Sequence, residues 1–303
     1  MAQSVPIFVV HRGNPPYLRL VLNQFQKTSP DARLILLGDE SNEHLPGVEH
    51  VNCASLEDED VWKFRAIYQH ASILAMPFER FCIERWFLLR NFVRKEGLKS
   101  LIHVDSDVLP FADIREMLAL AGDSEITFSR WDAKRLIMHF MIVRNVELLE
   151  QFCRFVLDLY EDSARFENLR RRSLCCPRKN SKPWISDMNL FHEFHQAVPM
   201  KAFFWEDALA KGVLVDSRLT QSESLQANWG LIRKQRIKKI RFIQGLPVAF
   251  LKDGTSLSVK ALHYHSYAKY LIRWHSQKKD GFWPFFFHTL FFEHKLLKKF
   301  TNK

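Results

Sequence analysis

Asp105 and Asp107 stand one residue apart at the end of an apolar run, in the stretch LIHVDSDVLPF from Leu101 to Phe111. On a strand, residues i and i+2 point to the same face, about 6.5–7 Å apart. Two carboxylates so placed repel each other unless a cation sits between or beside them. Mg²⁺ or Mn²⁺ suits the pair, because such hard ions take oxygen ligands and leave other positions to water and phosphates. Ligands of open α/β sheets bind outside the carboxyl ends of the strands, which is where these residues are expected. A turn-former followed by a helix cap is the plainer use of the same two residues.

The elements around the pair alternate. PIFVVHR reads as a first strand, and GNPPYL as a loop leading into a helix from near Pro16, with Leu18, Val21, Leu22 and Phe25 on one face. ARLILLGD is a second strand. Helical text resumes near Leu56, and PFERFCIERWFLLRNFVRKEG is a helix that stops at Gly97. SLIHVDSD follows as a strand, then EITFSRW and HFMIVRN. VELLEQFCRFVLDLYED is strongly amphipathic, and KPWISDMNLFHEFHQ is a helix capped by Ser186 or Asp187. The segment KIRFIQGLPVAFLKDGTSLSVKALHYH reads as short strands, with KDGT marking a hairpin. This alternation predicts an α/β fold with a largely parallel central sheet flanked by helices.

A chain of 303 residues can bury one large core or two modest ones. Hydrophobic residues make up 47% and charged residues 26%, with only 10 Gly and 12 Pro, which excludes disordered and fibrous classes. The N-terminal apolar run is too short for a secretory leader, and no apolar stretch reaches the roughly 18 residues of a spanning helix. Five cysteines without a CxxC pair argue for a reducing compartment, so a cytoplasmic location is expected. The net charge of +10 gathers in RKQRIKKIR (Arg233 to Arg241) and in the tail from Lys269 onward.

With ERW…LLRNF…GLKSLIHVDSD, the chain resembles the GT-A type of nucleotide-sugar glycosyltransferase, in which an Asp-x-Asp follows an apolar strand preceded by an Arg-bearing helix. HYHSYAK is similar to the late His-x-x-Gly-x-x-Lys of the glycogenin-like members, with His263 and Lys269 in place and Ser266 where the glycine stands. WISDMNLF is similar to their Asp-Gln-x-x-Leu/Phe element, and HFMIVRN to a strand beside the acceptor pocket. The resemblance implies a Rossmann-like GT-A domain over 1–268. It implies a donor such as a UDP- or GDP-sugar, an acceptor glycan or glycolipid, and Mn²⁺ or Mg²⁺ held by Asp105, Asp107 and His263. His265 is the alternative third ligand. Lys269 would contact the diphosphate, Asp105 the ribose, and His11 and Arg12 the base and ribose.

Arg85 or Arg90 would orient a carboxylate or touch the pyrophosphate; a solvated helix face is the other reading. Asp187 is a candidate general base if the reaction inverts the anomeric centre. It would orient the sugar if configuration is retained, and would be a plain N-cap if neither holds. The final segment, 269–303, is a basic aromatic extension. It is expected either to dock on an anionic membrane surface or to pack on the core, with nucleic-acid binding a lesser third use. Rival functions are a sugar-phosphate nucleotidyltransferase, disfavoured by the lack of a Gly-rich phosphate loop after the first strand, and a non-catalytic binding protein.

Overall fold

Strands β1 (Ile7–Val10), β2 (Leu34–Gly38) and β4 (Leu101–Val104) are buried at every position. Continuous apolar runs of this kind belong to parallel strands covered on both faces. The computed structural model describes residues 5–174, 183–220, 225–229 and 236–278. The chain divides into two compact units. The first comprises Met1–Gly13, Arg33–Val104 and Asp123–Phe204; the second comprises Asn14–Ala32, Asp105–Gly122 and Trp205–Lys303.

The first unit is built on one sheet. To the three strands above it adds β3 (Glu49–Asn52), β6 (Ile126–Asp132), β7 (Arg135–Ile137), β8 (Phe140–Val143) and β9 (Ala202–Phe204). Their order is β3-β2-β1-β4-β8-β6-β7, with β9 beside β6. Four of the seven pairings are parallel (β1 with β2, β1 with β4, β2 with β3, β6 with β9) and three antiparallel, so the sheet is mostly but not wholly parallel.

One face of that sheet, including Phe8, Val10, Ile35 and Leu37, shares a core with three long helices. These are α3 (Met76–Glu96), α5 (Glu147–Glu161) and α7 (Asp187–Ala197); α2 (Glu59–Ile67) and α6 (Ser163–Arg172) add to them. Gly97 ends α3 in the left-handed conformation, φ 62°, which a glycine enters without a Cβ penalty. Trp86 of α3, Phe152 of α5 and Phe191 of α7 meet in the centre. The rings of Phe152 and Phe191 stack at 3.7 Å, and Trp86 approaches Phe191 edge-on at 4.9 Å. Such aromatic contacts add about 0.5–1.5 kcal/mol each beyond area burial.

The second unit holds α1 (Pro16–Thr28), α4 (Ile114–Ala121), β5 (Val108–Pro110) and β10 (Val213–Asp216). It continues with β11 (Ala227–Trp229), β12 (Arg236–Lys238), β13 (Ile240–Ile243), β14 (Leu246–Phe250), β15 (Ser256–His263) and α8 (Ile272–Ser276). A sheet runs β10-β15-β14-β13, with β5 paired to β15; β11 and β12 form a separate ribbon. The four apolar positions expected on α1 are all buried. From the same helix, Gln24 Nε2 donates to the Pro110 carbonyl at 3.0 Å and fixes β5. The KDGT turn joins β14 to β15 as the sequence predicts. The β13–β14 turn is tighter: Gln244 and Gly245 both take positive φ, 51° and 77°, the pattern of a two-residue hairpin loop.

Among the described residues, no helix is long and apolar enough to cross a membrane. The late aromatics from Phe282 onward and Arg233–Gln235 of the basic run lie outside the described residues. The described start of the extension, 269–278, forms part of a 3₁₀ turn and α8, which buries Ile272 and His275.

Candidate functional site

The strand ahead of the two aspartates ends at Val104, so Asp105 and Asp107 do not share a strand face as the spacing suggests. They flank Ser106 in a tight turn closed by a 3.0 Å bond from Val108 N to the Asp105 carbonyl. The turn converges the carboxylates by a different route. β5 starts at Val108, directly opposite His263, the last residue of β15. The ladder extends one step further, with Tyr264 N donating to the Asp107 carbonyl at 2.9 Å. Register alone therefore brings two segments some 156 residues apart in sequence to the same point.

One ligand atom each from Asp105, Asp107 and His263 lies within 4.8 Å of the others. His263 Nδ1 lies 2.7 Å from the Ser217 carbonyl, and a carbonyl only accepts, so Nδ1 carries the proton. Nε2 is then the nitrogen that gains or loses the second proton, and it faces Asp107 Oδ1 at 3.3 Å. A histidine that donates one nitrogen to a carbonyl and presents the other to carboxylates has the orientation of a metal ligand. Two carboxylates and one neutral imidazole fit a divalent cation such as Mn²⁺ or Mg²⁺.

Lys269 completes the cluster, with Nζ 2.9 Å from Asp107 Oδ2. It arrives there because Ser266 opens the 3₁₀ turn Ser266–Leu271 in the left-handed conformation, φ 57°. That conformation suits glycine and costs a side-chain-bearing residue about 1–2 kcal/mol. The position is the one where the glycogenin-like motif has glycine. Tyr17, in the first turn of α1, holds the ammonium from the other side, its hydroxyl 3.3 Å from Nζ and its ring centroid 4.8 Å away. Nothing in the local sequence marks Tyr17, whose partner lies 252 residues away in the chain.

The charges balance within the cluster. Burial alone would raise the Asp107 pKa, but His263 and Lys269 outweigh it and hold the carboxyl well below the usual range. Burial alone would lower that of His263; Asp107, with Asp105 behind it, instead pushes it up to about 8. His265 stands apart. Its Nε2 pairs with the Thr220 hydroxyl at 2.7 Å, and burial lowers its pKa to about 4. Of the two candidate histidines, His263 is the one grouped with the aspartates.

In the first unit, the ends of β1, β2 and β3 enclose a cleft of about 440 Å³ lined by residues that include Arg12, Asp39, Ser41, Asn52 and Glu57. Asn42, fully buried, ties together the loops after β1 and β2. Its Nδ2 donates to the carbonyls of His11 and Gly13, while its Oδ1 accepts from Asp39 N and lies 2.9 Å from His50 Nε2. A Cβ on Gly38 would lie 2.0 Å from that Oδ1, so only glycine fits there. Arg12 reaches Glu84 at 3.0 Å and covers the Phe81 ring at 4.3 Å. His11 contributes its backbone to the Asn42 clamp and does not line the cleft.

Asp187 lies elsewhere in the first unit. Ser186, not Asp187, is the N-cap of α7, in a capping box with Asn189. Asp187 Oδ2 accepts from Arg85 at 2.9 Å and from the Trp86 indole at 3.2 Å. A buried carboxylate held by a guanidinium at a helix N-terminus is a poor proton acceptor. Nearby Glu79 is 1% exposed and accepts from the Ser72 hydroxyl at 2.5 Å; burial, aided by Asp187, pushes its pKa up to about 7. Arg90 is neither solvated nor near Asp187, for its guanidinium is 3% exposed and clamps Asp58 and Asp60 at the start of α2.

No protein-family model and no curated protein matches the sequence. Solved structures do. Mouse xyloside xylosyltransferase 1 is similar over 66% of this chain and 84% of its own, at 13% identity and a TM-score of 0.46. The bifunctional glycosyltransferase WbbM is similar over 67% and 39%, at 13% identity and 0.39. The galactosyltransferase LgtC, solved with donor and acceptor sugar analogues, is similar over 66% and 73%, at 12% identity and 0.37. These three are glycosyltransferases. At this identity and these scores, the likeness is one of partial α/β chain trace and extends to no substrate.

Proposed function

We propose that this protein is a metal-dependent glycosyltransferase, moving a sugar from a nucleoside-diphosphate donor to an acceptor hydroxyl. The observation that carries the reading is the convergence of Asp105, Asp107 and His263 within 4.8 Å, with Lys269 on Asp107. The difficulty of the reaction is negative charge growing on the departing diphosphate, and a divalent cation bound there supplies the charge to neutralise it. Asp107 and His263 Nε2 would hold the ion, with Asp105 completing the set on the ribose side. In the metal-free protein, Lys269 and His263 keep the buried Asp107 paired. To hold the ion His263 would have to be neutral at Nε2, and the Lys269 ammonium would be available to the diphosphate.

Within the first unit, Arg12 and the cleft at the ends of β1 to β3 offer polar groups, Asp39 and Ser41 among them, of the kind a ribose or base would use. For Asp187 the reading is an orienting carboxylate for the sugar, because Arg85 and Trp86 both bond its Oδ2 and fix its orientation. The acceptor is a glycan or glycolipid hydroxyl, in keeping with surface polysaccharide or glycolipid synthesis on the inner face of a membrane.

Calorimetric titration with UDP and GDP, with and without Mn²⁺, tests the reading. One nucleotide should bind in the micromolar range only when metal is present. Binding that ignores metal, or none to either nucleotide, would remove the transferase reading and favour a binding protein.

A further inference from the structure

The hairpin of β13 and β14 is coloured the wrong way for a solvated sheet face. Its inward residues, Ile240, Pro247 and Ala249, are buried as expected. Side chains alternate along a strand, so the opposite face carries Arg241, Ile243, Leu246, Val248 and Phe250. Ile243 and Leu246 face each other across the ladder and are 49% and 61% exposed. An outward strand face is ordinarily polar, and an exposed apolar patch beside charges marks an interaction surface.

The charges beside it have one sign. From Arg236 to Lys252 the chain has five Lys or Arg and no Asp or Glu. Lys238 is engaged with Asp216, while Arg241 is exposed and lies over the Phe250 ring at 5.6 Å. Lys278 sits at the hairpin turn, its Nζ 3.3 Å from where a Gly245 Cβ would be. The chain continues from that lysine into a sequence rich in Phe, Trp and Lys.

We propose that the outer face of the β13–β14 hairpin is a docking surface for an anionic lipid bilayer. Ile243 and Leu246 enter the boundary between headgroups and acyl chains, and Arg241, Lys252 and Lys278 meet lipid phosphates. A lipid surface fits better than a protein groove because the exposed apolar pair flanks a two-residue turn, and the charges nearest that turn, Arg241 and Lys278, are both positive. The proposal requires neither the donor nor the metal, so its test stands apart from that of the transferase reading.

The full chain is sedimented with vesicles of phosphatidylcholine alone or with 30% phosphatidylglycerol, against I243E/L246E and, separately, R241E/K252E. Wild type should pellet with the anionic vesicles and be released by 0.5 M NaCl. The apolar double variant should bind at least about tenfold more weakly, since burying each aliphatic contributes more than 1 kcal/mol. Its melting temperature and its oligomeric mass should be unchanged. The charge variant, which keeps every apolar residue of the hairpin, should lose affinity for anionic vesicles only. Wild-type affinity in both variants would overturn the proposal. So would a lower melting temperature, which would mean the chain's own C-terminal segment covers this face. A halved mass would assign the face to a second copy instead.

Discussion

The Nδ1–H of His263 is committed to the carbonyl of Ser217, at 2.7 Å, and this one bond decides which nitrogen faces Asp107. Ser217 follows β10, which pairs in parallel with β15, so the tautomer of a candidate ligand is set by a neighbouring strand and not by the site's own carboxylates.

Removing the imidazole separates the two histidines. His263→Ala should raise the Mn²⁺ concentration needed for nucleotide binding by about 10- to 100-fold. His265→Ala should leave it unchanged and cost only stability. Mn²⁺ titration followed by electron paramagnetic resonance distinguishes them, and a silent His263→Ala would reverse the assignment.

Metal affinity should depend on pH through the same residue. With its pKa near 8 in the metal-free protein, His263 must lose a proton to bind, so affinity rises from pH 6 to 8 and then levels. The slope should approach tenfold per unit, and titrations in buffers of different ionisation enthalpy should count about one proton released. A flat profile would mean that Nε2 is not a ligand.

Lys269→Met should weaken nucleoside diphosphate binding at saturating metal and spare the nucleoside, because the lysine is assigned to the phosphates. Tyr17→Phe removes one hydrogen bond to Nζ and keeps the ring, so its effect should be several-fold smaller. Comparing the diphosphate with the unphosphorylated nucleoside checks both.

Ser266→Gly should stabilise the protein by about 0.5–1 kcal/mol, since the left-handed φ of 57° favours a residue without Cβ. Ser266→Val should destabilise it by more than that. Urea denaturation read by circular dichroism gives both numbers, and a destabilised glycine variant would show that the serine side chain has a role of its own.

Acid should weaken the fold through two buried histidines. Burial holds His275 at about 3, beneath a 2.6 Å bond to the Tyr264 hydroxyl, and His265 at about 4. Both pKa values are depressed below the unfolded value near 6.5, so the unfolded chain binds protons first. Their stabilisation is complete above pH 6.5 and is lost as pH falls toward 4, on the order of a few kcal/mol. The urea midpoint should fall accordingly, and His275→Gln should flatten the loss.

The sequence by itself determined the alternation of strands and helices, the buried face of α1, the stop of α3 at Gly97 and the aspartate pair as the place to look. These are local properties: apolar periodicity, a glycine able to take positive φ, and charge at the end of a β-forming run all act within a few residues. The resemblance added His263 and Lys269, but not how they are held. Only the tertiary structure shows which of His263 and His265 stands with the aspartates, because the two lie at the end of the same strand and differ in which neighbour, Ser217 or Thr220, meets the ring. It replaced the expected shared strand face of Asp105 and Asp107 with a turn, since pairing β5 to β15 requires the chain to leave β4 at Val104. It also brought in Tyr17, Asn42 and Gly38, whose roles consist of contacts with partners distant in sequence or with a loop's own closure. The outward apolar face of β13 and β14 belongs with these. Alternation in the sequence says that a strand has two faces, and only the sheet says which of them is covered.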